Sequence, residues 1–275
     1  MRVLLAACLP ALLAAQDARE IVRRSVELDR KNLQAAVNYA YRERQEQREL
    51  DGKGKTTSVK INAWDVTYPD GTRYRRLVAR NDQPLSAKDQ KQEEESLRKS
   101  IEDRRRETPE QRQRRIGEWE ARRDKQREPL QEVPDAFDFQ LVGEEPLNGG
   151  YAYVIDATPK PGYKPKLSSA AILPHVKARF WIDKTDYQWI KASVETLSTI
   201  SFAGFLVRLA PGSVVNLEQV RINDEVWLPK SIEVRIAARV ALIKTVRVEQ
   251  FNTYSDYKKF QADSRIVEVS EPRQP

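Results

Sequence analysis

Between Tyr39 and Asn252 the chain repeatedly alternates apolar and polar residues over short stretches, and each stretch ends in a turn signal. This period of two constrains the fold more than any other feature. Tyr39 and Tyr41 alternate with Asn38, Ala40 and Arg42 along a strand that continues to about Leu50. Asp51-Gly52 turns the chain, and Val59, Ile61 and Ala63 mark the next strand. Tyr68-Pro69-Asp70-Gly71 turns it again before Tyr74, Arg76 and Val78. Phe137, Phe139 and Leu141 resume the alternation, Asn148-Gly149-Gly150 turns, and Tyr151, Tyr153 and Ile155 return. Further strands are expected over Val176 to Ile182, Gln188 to Leu197, Val214 to Ile222, Val226 to Ile236 and Val240 to Asn252. Ser201 to Ala210 is apolar and ambiguous, and Tyr254 to Gln261 reads as a final turn or short strand. Sequential hairpins of this kind imply an antiparallel meander, not a parallel sheet with crossover helices.

Two segments break the period. Asp17 to Val37 places Ala18, Ile21, Val22, Val26, Leu33 and Val37 at helical spacing, with Asp17 as a cap. From Ser86, a plausible N-cap, the chain is almost wholly polar apart from Leu97 and Ile101. Thr108-Pro109 starts a second helix carrying Ile116 and Trp119, and Pro129 is expected to end it. These two helices read as a charged hairpin, residues 86–130, inserted into one domain spanning 17–262. A flexible tail, 263–275, follows. The insert holds about as many acids as bases, interleaved: Glu94 and Glu95 precede Arg98 and Lys99, and Glu102 precedes Arg106 at i, i+4. That is a solvated, ion-paired face, and it argues against nucleic acid as a partner. Leu97, Ile101, Ile116 and Trp119 are the candidates for contact with a protein partner.

The chain opens MRVLLAACLPALLAAQDARE. One arginine, a short apolar core and a small-residue site at Ala14-Ala15 form the pattern of a secretory signal peptide over residues 1–15, so the mature chain is expected in the periplasm without a transmembrane span. A lipid anchor at Cys8 is the lesser alternative. Cys8 is the only cysteine, and its removal leaves a chain without thiol chemistry. The net charge of +7 points to anionic envelope surfaces in an exported protein.

Catalytic machinery is not evident. His175 is the only histidine, and the sequence has no G-x-S-x-G elbow, P-loop or G-x-G-x-x-G turn. His175 reads as a strand-edge polar residue. Carboxylates such as Asp138, Asp156, Asp183 and Glu195 are those any β protein carries. The expectation is a protein that is not an enzyme and takes no cofactor and no metal.

Two local stretches carry a family resemblance. Phe180-Trp181-Ile182-Asp183-Lys184 followed by Tyr187-Gln188-Trp189-Ile190-Lys191 forms one hairpin, and Asn223-Asp224-Glu225-Val226-Trp227-Leu228-Pro229 forms a turn into a strand. Both resemble motifs of LolA-like exported proteins, a group that includes periplasmic lipoprotein carriers and related sensor domains. The resemblance implies a mainly β (α+β) fold: a curved antiparallel half-barrel covered by helices, whose cavity holds acyl chains in the carriers. Tyr39, Tyr41, Trp64, Phe180 and Trp227 are then the cavity candidates, and the apolar Phe202, Phe205 and Leu206 a lid or lipid contact. The insert has no counterpart in the carriers, and Arg42, Arg44 and Arg48 share one strand face, so none of them stands out as a cavity arginine. The expected function is binding of a lipid, a lipoprotein acyl chain or another amphiphile. The alternative is an envelope interaction or sensor module whose charged hairpin docks on a partner protein.

Overall fold

The computed structural model describes residues 9–147, 149–202, 207–240, 244–260 and 266–267. Three helices, α1 (Leu9–Ala36), α2 (Ala87–Arg105) and α3 (Pro109–Ala136), cover an open antiparallel sheet. The first meander is β1 (Tyr39–Leu50), β2 (Thr56–Thr67) and β3 (Tyr74–Arg80), edged by β4 (Gln83–Pro84). A second contains β5 (Phe137–Leu147), β6 (Gly150–Pro159), β7 (Val176–Asp183) and β8 (Trp189–Thr196). The remainder is β9 (Ile200–Phe202), β10 (Val207–Leu209), β11 (Val214–Ile222), β12 (Val226–Val240), β13 (Lys244–Phe260) and the two-residue β14 (Ile266–Val267), which pairs with β13.

Across the sheet the order is β4-β3-β2-β1-β13-β12-β11-β8-β7-β6-β5, with the short β9–β10 hairpin beside β12. The meander is interrupted twice: β11 pairs with β8, leaving the β9–β10 hairpin off the path, and the first strand pairs with β13 from the end of the chain. As a result β4 and β5, consecutive strands in the sequence, lie at opposite edges. The charged segment between them is therefore the crossover that carries the chain from one edge to the other. At 1.5 Å per residue, the 28 residues of α3 span about 42 Å.

α3 corrects one expectation. It runs through Pro129 and Pro134 to Ala136, although a proline in a helix interior removes a backbone hydrogen bond and crowds the preceding turn. Burial after Pro129 offsets that cost. Val133, Pro134 and Ala136 are buried, and Leu130 packs against the main core with Ala18 and Val22 of α1. The caps of α2 and α3 agree with the sequence: the Ser86 hydroxyl accepts from the Asp89 amide, and Thr108 and Gln111 form a reciprocal capping box, whereas α1 begins at Leu9, so Asp17 lies inside that helix and does not cap it.

Two strands run longer than their alternation suggests. β12 continues past Ile236 to Val240, and β13 extends to Phe260 instead of stopping at Asn252. The second difference has a local cause. Asp256 has a left-handed φ of 55°, and the register with β1 shifts between Ala40 and Arg42. This bulge turns Tyr254 and Tyr257, three residues apart, to the same face and so masks the period of two.

The main core lies where α1, the end of α3 and β5–β8 meet, and includes Val22, Val133, Phe137, Phe139, Ile155, Phe180, Ile182 and Trp189. A second cluster joins Tyr39, Ile222, Val226, Leu228 and Tyr257 under the end of α1. Asn32 of α1 fastens that helix to the sheet. Its side-chain amide donates to the Trp227 carbonyl at 2.7 Å and accepts from the Trp227 amide at 2.8 Å, in the manner of a neighbouring strand. No helix among the described residues is long and apolar enough to cross a membrane.

Candidate binding site under helix α3

The two faces of β1–β3 differ in chemistry. On the outer face Arg42 and Arg76 both pair with Asp65, each at 2.8 Å, and Arg44 pairs with Asp82 at 2.7 Å. The arginines that alternate on the first strand are thus used in an external ladder. On the inner, helix-covered face, Glu43 stands opposite Trp64 on β2 and Tyr254 on β13, and Tyr41 stands opposite Val66. Tyr41 lies 5.8 Å from Tyr254 and 5.5 Å from Tyr257, ring centre to ring centre. Burial pushes the hydroxyls of Tyr41, Tyr254 and Tyr257 above the usual tyrosine range, so all three stay neutral.

Glu43 is buried, with 4% of its surface exposed. It takes Arg73 at 2.7 Å and Arg75 at 3.2 Å, and Arg75 also stacks on the Trp64 ring at 3.9 Å. One buried carboxylate therefore fixes two guanidiniums on the inner face.

Arginines of the two connecting helices hold the β2–β3 turn. Arg112 pairs with Asp70 at 2.7 Å, Arg115 donates to the Thr72 hydroxyl at 2.7 Å, and Arg104 donates to the Pro69 carbonyl at 2.5 Å. Asp70 and Gly71 are both left-handed. A side chain at Gly71 would meet Ile116 Cδ1 at 3.2 Å, so the glycine serves both the turn and the close approach of α3. Further along α3, Trp119 meets Tyr68 edge-on at 5.9 Å, Arg123 donates to the Leu33 carbonyl of α1 at 3.1 Å, and Arg127 pairs with buried Asp29. The arginine-rich segment is in large part a set of clamps that dock the crossover on the rest of the domain.

Between α3 and the sheet lies a cavity of about 310 Å³, lined by Tyr41, Tyr68, Arg73, Trp119, Arg122, Arg123 and Gln126. Aromatic rings and guanidiniums form its walls, and no carboxylate is among the lining residues.

The cavity candidates from the sequence fall into three places. Tyr41 and Trp64 lie on the inner face around Glu43. Tyr39 is fully buried beside them and donates its hydroxyl to Glu225, closing one end. Phe180 sits in the main core, edge-on to Trp189 at 4.7 Å, where the interior is filled by the protein's own side chains. Trp227 packs with Ala152 and Ile190 in a separate small cluster, and its indole N–H donates to Asp186 at 2.8 Å.

Ile116 and Trp119 face the turn and Tyr68. Leu97 and Ile101 border a shallow groove of about 380 Å³ walled by α2 alone. Phe205 and Leu206 lie outside the described residues, as do Cys8, the side chain of Phe202 and the tail apart from residues 266–267. His175 bonds Ser198 through Nδ1 at 2.7 Å on the surface. No cluster of three metal-ligating residues occurs among the described residues.

Sequence reading missed Glu43, Arg73, Arg75, Arg122, Arg123, Tyr254 and Tyr257. The spacing Arg73-x-Arg75 was visible as alternation, but the bulge at Asp256 hid the paired tyrosines.

No family model matches the chain, and a search of curated proteins gives no match. Among solved structures, the chain is similar to a DUF1329 family protein from Desulfovibrio piger, at 11% identity over 92% of this chain and 95% of that one, with a TM-score of 0.33. It is also similar to a putative outer membrane lipoprotein-sorting protein domain from Vibrio parahaemolyticus, at 11% identity over 89% and 95%, with a TM-score of 0.35. A LolA superfamily protein from Nitrosomonas europaea matches at 12% identity over 89% and 94%, with a TM-score of 0.30.

Proposed function

We propose that this chain is an exported envelope protein, resident in the periplasm, that binds an amphiphile between α3 and the inner face of its half-barrel. The observation that carries this reading is the cavity of about 310 Å³ under α3, whose walls are Tyr41, Tyr68 and Trp119 together with arginines. Small-ligand sites begin at about this size and combine apolar walls with a few placed polar groups. The main core beneath α1 is packed, so the ligand's place is the α3 side of the half-barrel. Capture would be passive: burial of apolar surface contributes about 25 cal/mol per Å². The signal-like N-terminus supports export, and the resemblance of the 180–191 and 223–229 segments to LolA-like proteins supports a carrier or sensor of lipids.

The test is native mass spectrometry of the protein recovered from the envelope, followed by organic extraction and lipid analysis. The expected result is a co-purified amphiphile that is lost when Trp119 is replaced by aspartate. A bare mass, with no uptake of added fluorescent fatty acid or lipopeptide, overturns the reading.

The docking alternative is favoured by one feature, the groove around Leu97 and Ile101 on α2, which lies outside the α3 cavity. Loss of a cross-linked envelope partner in a Leu97→Asp variant that still binds amphiphile would support it.

A further inference from the structure

We infer that the cavity under α3 selects its ligand by negative charge: Arg73, Arg122 and Arg123 form a subsite for a phosphate or carboxylate group. This rests on the amphiphile reading above and adds to it the chemistry of the ligand's polar end.

The charge balance carries the argument. Arg73, Arg122 and Arg123 line the cavity, and no Asp or Glu does. Arg73 has an ion-pair partner, Glu43, but Glu43 is shared with Arg75. Two guanidiniums thus divide one buried carboxylate, and the inner face keeps an excess of positive charge. Arg123 is held in place by the Leu33 carbonyl through Nη2 and by stacking on Trp119 at 4.4 Å, and neither contact supplies an anion. Arg122 has no ion-pair partner among the described residues. Guanidiniums brought together in this way repel one another, and an oxyanion accepting paired N–H bonds relieves that repulsion.

The face of β6–β8 turned away from the main core provides a contrast. Its cavity of about 400 Å³ also contains cations, but there Arg179 pairs with Asp156 at 2.5 Å and Lys177 with Glu195 at 2.9 Å. Charge is matched within that cavity and unmatched under α3. The ring of Trp119 beside Arg122 and Arg123 then gives the apolar portion of the ligand a surface next to the charged end.

The experiment compares decyl phosphate, decanoate and decanol, which share a chain and differ in head charge, with inorganic phosphate as the chainless anion. Binding to the purified chain is followed by titration calorimetry, with the Arg122→Gln/Arg123→Gln double variant and an Arg73→Lys variant in parallel. Both anionic amphiphiles are expected to bind about tenfold or more tighter than decanol. The double variant should abolish that preference while still binding decanol, and Arg73→Lys should retain part of it. Equal binding of decanol and decyl phosphate overturns the anionic subsite and leaves the amphiphile reading standing. Binding of inorganic phosphate as tightly as decyl phosphate, with no uptake of decanol, supports the subsite and overturns the amphiphile. Uptake of none of the four overturns both.

Discussion

Glu43 on the first strand and Arg73, the residue just before the third, are joined at 2.7 Å across the intervening β2, with the carboxylate buried and the guanidinium reaching the cavity under α3. This pair ties the sheet's interior to the wall of the site. Replacing Glu43 by glutamine would leave Arg73 and Arg75 facing each other without a counter-charge. Because Arg73 is part-exposed, the loss is smaller than for a sealed pair, about 1–3 kcal/mol. Urea denaturation at neutral pH measures it. An unchanged midpoint would show that the pair does not stabilise the fold.

Alkaline pH tests the buried tyrosines. Desolvation, reinforced by Glu225, pushes the Tyr39 hydroxyl up to about 12, and desolvation with Glu132 does the same for Tyr163. An unfolded tyrosine titrates near 10. The folded state therefore holds protons that the unfolded state releases between about pH 10 and 12. The stability contributed by these groups is complete below about pH 10 and declines as pH rises through 12. Denaturant midpoints at pH 9 and 11.5, with tyrosinate absorbance, should show the loss, and Tyr39→Phe together with Tyr163→Phe should reduce it, the remainder coming from Tyr41, Tyr254 and Tyr257. Equal slopes in the variant and the parent would refute the assignment.

How much of this was legible in the sequence depends on the range of the forces involved. Period two is a local signal, so Tyr39–Leu50 and Val214–Ile222 match the strands expected, and Ser86 and Thr108 cap the helices as read. The pairing of β1 with β13 is a contact between chain ends, and no local pattern encodes it. That pairing turns an apparent insert into a crossover, and burial of Val133 and Ala136 against α1 carries α3 past Pro129. From the sequence the arginine-rich segment reads as solvated, because its charges balance along the chain. Its partners Asp70, Thr72, Leu33 and Asp29 are remote in sequence.

The two halves of the interior should respond differently to truncation. Phe180 is enclosed by the main core, and Phe180→Ala should cost about 3–5 kcal/mol. Trp119 borders the cavity and contacts Tyr68 and Arg123, so Trp119→Ala should cost clearly less, about 1–2 kcal/mol, while abolishing ligand uptake. Paired denaturation and binding measurements separate these effects. Greater destabilisation from Trp119→Ala than from Phe180→Ala would mean that α3, not α1, seals the core.

The Asn32–Trp227 contact makes a final prediction. The carboxamide supplies one donor and one acceptor to the backbone of Trp227, and both bonds are part-buried. Asn32→Asp keeps the acceptor and loses the donor, so the Trp227 carbonyl loses its partner and faces a negative oxygen. Asn32→Leu removes both bonds and leaves two backbone groups unsatisfied. Each bond contributes about 1 kcal/mol, and a buried group left unpaired costs about 1–3 kcal/mol. Both variants should therefore lower stability, with hydrogen exchange accelerating at the Trp227 amide in Asn32→Leu and less in Asn32→Asp, which still accepts from that amide. Equal exchange at Trp227 in the parent and Asn32→Leu would show that α1 is anchored by its apolar face alone.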